Sequence, residues 1–437
     1  MLRHSGSAIN VVGWNRDGSR LLTTGDDGTA RIWGQDGNLL QTLVHSPNGI
    51  TVSAGWNVDG QRVYTWAADD AVVWSVDGTE LVRLNHDGDV VSQMRWVRDG
   101  SRIMTLALPT SDCSNDLCTL VLRLWSADDG SLIGSYDTGA VRPPEITWNA
   151  DWTTVVVSDS SGSITLDETL TPVKQETSIT GQGTAWNTQG DRYVTQPTFT
   201  TPASLRDQSG EVLVELTGVG SARDVAFSPD GQFAIAWSGE LVEIWDSQGN
   251  VSYSGAPPQG TRYEDVFWLP APDATAALLS RDMECALGDV CPLVLNIVDP
   301  AGNTLARIDI ESEMGASSVT PNPMGDQVLV NACDAIRLYG INGLLIQTVP
   351  IPPGQPTECQ GFWSQTGLNF YVQWGSVVSL WRSNGSPVDT LEHGFLASNV
   401  RWVADGTLVA VTSTIGETQL WDTNGDRVMN YNYGTDT

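Results

Sequence analysis

The chain has 437 residues, 40% of them hydrophobic, and sets 52 acidic side chains against 22 basic ones for a formal net charge of −30. That length would hold two or three average domains or one long repeat array, and the apolar content is enough for a real core. The charge repels phosphate backbones and anionic lipid, which excludes nucleic acid and membrane insertion as expectations, and no run of about 18 apolar residues exists to cross a bilayer. At the N-terminus Met1-Leu2-Arg3-His4 leads straight into turn residues and a strand, without a signal-peptide pattern. The expectation is therefore a mature or trimmed form.

Along the chain one unit of about 40 to 50 residues recurs, the length that four strands need. Its first marker is an aromatic that closes a strand ahead of a tight turn. It runs Trp14-Asn15-Arg16-Asp17-Gly18, Trp56 to Gly60, Trp96 to Gly100, Trp148 to Asp151 and Trp186 to Gly190. It continues as Phe227 to Gly231, Trp268-Leu269-Pro270, Pro321 to Gly325, Trp363 to Gly367 and Trp402 to Gly406, ten occurrences and so ten units.

A second marker closes the third strand: Trp33, Trp74, Trp125, Trp245, Trp381 and Trp421, with Leu166, Leu205, Val298 and Tyr339 as weaker versions. Turn pairs such as Asp36-Gly37, Asp77-Gly78, Asn342-Gly343, Asn384-Gly385 and Asn424-Gly425 follow, and these accept the positive φ of short hairpins. Between the markers apolar and polar residues alternate, as in Arg20-Leu21-Leu22-Thr23-Thr24, which is strand periodicity. Each unit reads as strands a, b, c and d in order. A lone four-stranded sheet with two apolar faces is unstable, so neighbours must stack.

These residues resemble the WD40-repeat family over essentially the whole chain. Trp245-Asp246 and Trp421-Asp422 are the dipeptide behind the family's name, and His4, Thr23, Asp27 and Trp33 match its hydrogen-bonded structural tetrad. Units 2 and 3 keep part of it in His45, Thr65, Asp69, Trp74 and in His86, Thr105, Trp125, while unit 10 keeps His393 and Trp421 without the Thr and Asp. That assigns all four histidines to bracing.

The resemblance implies an all-β fold, a β-propeller of ten four-stranded antiparallel blades in a single domain spanning residues 1–437. The approximate blade bounds are 4–43, 45–84, 86–136, 138–179, 181–216, 218–254, 256–308, 310–349, 351–391 and 393–432. Ten units exceed the four to eight blades usual for a propeller, so one ring, two smaller rings and an open arc are the alternatives. No linker or shift of composition parts units 5 and 6, which favours one ring. Units 1 and 10 each own four strands, and the stub Met1-Leu2-Arg3 aligns with the end of a d strand that would pair with the last blade or with another molecule.

Six cysteines fall in three places. Cys113 and Cys118 lie in an enlarged b to c hairpin of unit 3, and Cys285 and Cys291 in the matching hairpin of unit 7. Cys333 ends strand b of unit 8 and Cys359 precedes strand a of unit 9, where adjacent blades would bring them together. Three disulfides and an oxidising compartment are expected. Zinc is not, since no Cys-x-x-Cys pair exists and the histidines are committed.

No nucleophile elbow, zinc helix, Walker loop or dinucleotide fingerprint is present, so no catalytic residues, cofactor or metal are expected. Asp422-Thr423-Asn424-Gly425-Asp426 only faintly resembles a calcium loop. Fourteen of the 18 tryptophans sit at the two markers and read as blade core. Of the rest, Trp66, Trp237 and Trp374 share one strand b register that suggests packing between blades, and Trp152 stands apart. Asn250-Val251-Ser252 and Asn384-Gly385-Ser386 are possible glycosylation sequons on turns.

The expected function is a non-enzymatic extracellular or cell-surface binding or structural scaffold. Its partners would be proteins or further copies of itself, with assembly into a fibre or surface layer as one form. The alternatives are an enzyme acting through channel carboxylates and a WD40 interaction module cut from a larger intracellular protein.

Overall fold

In a computed structural model, the described residues are 4, 9–47, 52–97, 100–110, 118–159, 162–176, 184–195, 202–219, 222–270, 273–282, 293–310, 316–332, 334–350, 359–395, 397–413 and 417–432. They form ten four-stranded antiparallel sheets, each built from four consecutive strands in the order a-b-c-d. Blade 1 comprises Ile9–Trp14, Arg20–Gly25, Thr29–Gly34 and Leu39–Val44, and blade 10 comprises Ala397–Val403, Leu408–Ser413, Glu417–Asp422 and Arg427–Asn432. Between blades strand a of each following blade meets strands a, b or c of the one before, so strand a is innermost and strand d forms the rim.

Local chemistry explains the hairpins. The residue after the first marker turns inward, where Asn15, Asn57 and Asn149 are buried and their side-chain oxygens accept the backbone N–H of Arg20, Arg62 and Thr154 at 3.0, 2.9 and 3.0 Å. Asp17 caps the same turn from Ser19 N at 2.9 Å, and Gly18 takes the left-handed φ of +69° that the chain reversal needs. In nearly every blade a bulge between strands c and d precedes the second marker, as between Ile32 and Trp33, adding local twist.

Among the described residues the ring closes without a shared strand. Leu21 and Trp33 of blade 1 share one apolar cluster with Leu408, Ala410 and Leu420 of blade 10. The a to b turns nest as they do elsewhere: a Cβ on Gly18 would lie 2.4 Å from the Cβ of Ala404, as one on Gly60 would lie 3.2 Å from Asn15 Nδ2. Closure among the described residues therefore rests on side-chain contacts, the apolar cluster and the Arg16–Asp405 pair at 3.7 Å. Residues 1–3, the stub expected to pair with the last blade, lie outside the described residues.

The first-marker tryptophans are mostly half-buried at blade junctions, which corrects their reading as blade core. Most project toward the preceding blade and donate the indole N–H to that blade's strand a, whereas Trp148 Nε1 is buried without a partner. Trp56 bonds Gly13 O at 3.1 Å, Trp186 bonds Thr147 O at 3.1 Å and Trp268 bonds Ala226 O at 3.2 Å. Trp363 bonds Thr320 O at 3.2 Å and Trp402 bonds Phe362 O at 3.0 Å.

A second clasp runs the other way. Arg62 reaches Gly100 O and Asp128 of blade 3, both at 3.0 Å, Arg102 reaches Glu168 O of blade 4 at 2.8 Å, and Arg192 bonds Ser247 O of blade 6. All three open a strand b, so a repeated position links neighbours.

Two registers differ from expectation. The residue opposite Tyr193 in strand c of blade 5 is Arg206, not Leu205, so a buried arginine occupies the second-marker position. Its Nε donates to Ser204 Oγ at 2.9 Å, and that hydroxyl meets Thr195 Oγ1 at 2.8 Å. In blade 9 Trp374 lies one residue beyond the register of Trp66 and Trp237, so it turns to the opposite sheet face. It packs back on blade 8, whereas Trp66 and Trp237 pack forward on blades 3 and 7.

Candidate functional site

The brace of blade 1 is a continuous network under the b to c turn. His4, 3% exposed, places Nε2 2.8 Å from Thr23 Oγ1 and Nδ1 3.1 Å from Asp27 Oδ1. Trp33 Nε1 donates to Thr23 Oγ1 at 2.8 Å, and Arg31 donates to Asp27 Oδ2 at 3.0 Å. One hydroxyl thus serves two rings from different strands. Burial holds the His4 imidazole below its usual pKa, against the opposing pull of Asp27, so the ring is neutral and acts as a fixed polar post.

Blades 2 and 3 repeat the core of this arrangement. His45 Nδ1 lies 2.8 Å from Thr65 Oγ1, which accepts Trp74 Nε1 at 2.7 Å. His86 Nε2 lies 3.0 Å from Thr105 Oγ1, which accepts Trp125 Nε1 at 2.9 Å. Burial lowers the pKa of both imidazoles as well.

Asp69 is not part of the brace. Its hairpin is shorter than that of blade 1, and the carboxyl ends on the exposed turn while His45 Nε2 stays buried without a partner. Blade 10 departs further: Val411 stands where blade 1 has Thr23, and both His393 Nδ1 and Trp421 Nε1 are buried without hydrogen bonds. The fourth histidine is packed, not braced.

Of the cysteines, Cys118 is disulfide-bonded. Cys113, Cys285, Cys291 and Cys333 lie outside the described residues, and Cys359 begins strand a of blade 9 with its side chain outside them too. The three expected pairings fall there.

Carboxylates do line the inner wall. Glu145, Asp224 and Asp265 each stand three residues before a first marker, at one level of strand a in blades 4, 6 and 7. Desolvation, then the charge of Asp224, holds the Asp265 carboxyl above the usual range. Among the described residues no three His, Cys, Asp or Glu side chains are grouped to hold a metal ion.

On the face of the a to b and c to d turns, hydrogen bonds hold Asp17, Asp77, Asp151, Asp246 and Asp299 below the usual carboxylate range, and bring Asp129 to about 2. Asp422 behaves as such a cap, accepting Asn424 N and Asp426 N at 2.8 and 3.0 Å, so the sequence with a faint calcium-loop spacing is a self-satisfied turn. This face carries fixed negative charge. Sequence reasoning located its aspartates but missed the tryptophan and arginine clasps, whose signal was the recurrence of Trp and Arg at fixed offsets.

Comparison with known proteins agrees with this architecture. The family description "WD domain, G-beta repeat" matches residues 1–34, the stretch that holds the full brace. WD repeat-containing protein 35 of Homo sapiens is 32% identical over 104 residues, 23% of this chain and 9% of that protein. The F-box-like/WD repeat-containing protein TBL1X of Mus musculus is 30% identical over 127 residues, 28% of this chain and 21% of that protein. The matched stretches thus span less than a quarter of those relatives' own length. Among solved structures, the C-terminal WD40 domain of Sif2 aligns over 95% of both chains at 14% identity with a TM-score of 0.42. The chain is thus a ten-bladed β-propeller whose first repeat matches the WD domain and which is similar to WD repeat-containing proteins.

Proposed function

We propose that the protein is a non-enzymatic binding and structural scaffold that works outside the cell or at its surface. One observation carries this reading: the side chains that catalysis draws on are spent inside the fold. Three histidines face threonine hydroxyls, the arginines opening strand b of blades 2, 3 and 5 tie adjacent blades together, and the turn aspartates cap their own backbone. What remains outward is a rigid ring with an ionised acidic face, suited to a protein partner with a basic surface.

The disulfide at Cys118 supports an oxidising location. Self-association is supported by the rim, where two strands d carry no charge and expose adjacent aliphatics. Leu39 and Leu40 of blade 1 are 48% and 45% exposed, and Leu345 and Ile346 of blade 8 are 53% and 38% exposed. Such edges lack the charged residues that usually prevent pairing.

Thiol titration of the denatured, unreduced protein tests location: no free thiol supports it, and six free thiols move the reading to a WD40 interaction module of an intracellular protein, which the likeness to WD repeat relatives favours. Electron microscopy of the purified protein tests assembly, with filaments or sheets as the expected result and isolated rings against it.

A further inference from the structure

The a to b turns meet in a ring, and the residue after the first marker decides how each junction is filled. Most blades place a buried Asn or Ser there, but blade 3 has Val97, blade 7 has Leu269 and blade 10 has Val403. Over blade 3 the gap is filled by Trp152, which occupies the position that is Gly18 in blade 1. It adopts a left-handed φ of 61°, rests 5.8 Å from the ring of the marker Trp148 and packs on the cluster containing Val97, which is 2% exposed. A bulky residue keeps that backbone conformation only when its packing more than offsets the strain.

The junction of blade 10 with blade 1 has the same valine but no indole, because the following turn carries Gly18. Val403 is only half-buried, and beside it opens a cavity of about 230 Å³ whose walls include Trp14, Arg16, Gln365, Arg401, Trp402 and Asp405. A cavity of about 150 Å³ already admits a benzene ring. Ala404 and Asp405, which border it, both hold φ of 52°, and Ala404 covers Gly18 so closely that the cavity opens beside that contact, not over Gly18. Arg401 is exposed and has no ion pair or hydrogen bond among the described residues, and Arg16 stands 3.7 Å from Asp405 with 71% of its side chain exposed. In a chain with this excess of acid, a cavity wall with two arginines against the single carboxylate Asp405 is a local reversal of charge.

We propose that the blade 10 to blade 1 seam is a binding site for an aromatic ring carried next to a carboxylate. The ring enters the cavity beside Trp14, and the carboxylate pairs with Arg401 and Arg16. The site goes beyond the scaffold reading, which stands whether or not the seam binds.

The probes are N-acetyl-L-tryptophan, its amide without the carboxylate, and a short peptide with one internal tryptophan between two glutamates, titrated by calorimetry into the intact protein. N-acetyl-L-tryptophan is expected to bind saturably, and to weaken about tenfold both on loss of its carboxylate and in Arg401→Gln, the effect of one charge-assisted hydrogen bond. Arg401 is exposed, so the variant should keep the parent's melting temperature. Equal affinity for the acid and the peptide indicates a small-molecule ligand, and tighter peptide binding indicates a partner's acidic segment. No saturable binding of either up to about 10 mM, or binding unchanged by both the amide and the arginine substitution, overturns the assignment.

Discussion

Blades 1 and 10 are neighbours across the seam, and they contain the same buried histidine and tryptophan with opposite outcomes. In blade 1 the hydroxyl of Thr23 lies between His4 and Trp33 and satisfies both rings. In blade 10 Val411 takes that place, and a nitrogen on each ring is left without a partner. The tetrad is therefore not four independent contributions. It depends on one small polar atom, and burying the two rings without it leaves orphaned nitrogens that each cost about 1–3 kcal/mol. The turns differ as well: the blade 3 to blade 4 junction is covered by Trp152, and the seam is covered by Ala404 with a cavity beside it.

The largest effect is expected where the comparison is broken in blade 1. Thr23→Val makes blade 1 resemble blade 10 and should lower stability by about 2–5 kcal/mol, read from the urea midpoint, because it strands two ring nitrogens together. A loss under about 0.5 kcal/mol would show that the hydroxyl is not central. Trp152→Gly should follow: it relieves about 1–2 kcal/mol of left-handed strain but forfeits about 3–5 kcal/mol of indole packing, a net loss near 2 kcal/mol. If the variant is instead more stable than the parent, the indole contributes no packing at that junction.

The reverse change sharpens the comparison from the other side. Val411→Thr should raise stability by about 1 kcal/mol, since the side chains are close in shape and the hydroxyl gives Trp421 Nε1 an acceptor. No gain would mean that His393 and Trp421 are placed differently from their blade 1 counterparts.

The smallest effect expected is on pH dependence. His4, His45 and His86 have pKa values lowered by burial, so the folded chain binds fewer protons than the unfolded chain near pH 6.5. Stability should be greater at pH 7 than at pH 5 and decline as pH falls through that value. A melting temperature that does not change between these pH values would argue against neutral buried histidines.

Much of this was legible in the chain because hairpin chemistry is local. Asn15, Asp17 and Gly18 form their turn from atoms within five residues of each other, so the motif and its ten recurrences predict strands, turns and blade number directly. Register was legible where a tryptophan marked it, and it slipped by one residue in blade 5, where Arg206 takes the indole's place, and in blade 9 at Trp374. A period of two cannot report such a slip when both adjacent residues are buried. The unpartnered Nδ1 of His393 and the distance of Asp69 from its expected brace were not legible, because hairpin length and a single threonine decide them.

The sequence by itself thus determined the repeat, its four-strand content and the chemistry of each turn, all consequences of contacts close along the chain. The tertiary structure decided what lies far apart in the chain: the indole and arginine clasps between blades, the side-chain contacts that join blade 10 to blade 1, and the cavity at the seam. Those depend on the angle at which ten near-equal blades meet, and that angle emerges only when the last blade reaches the first.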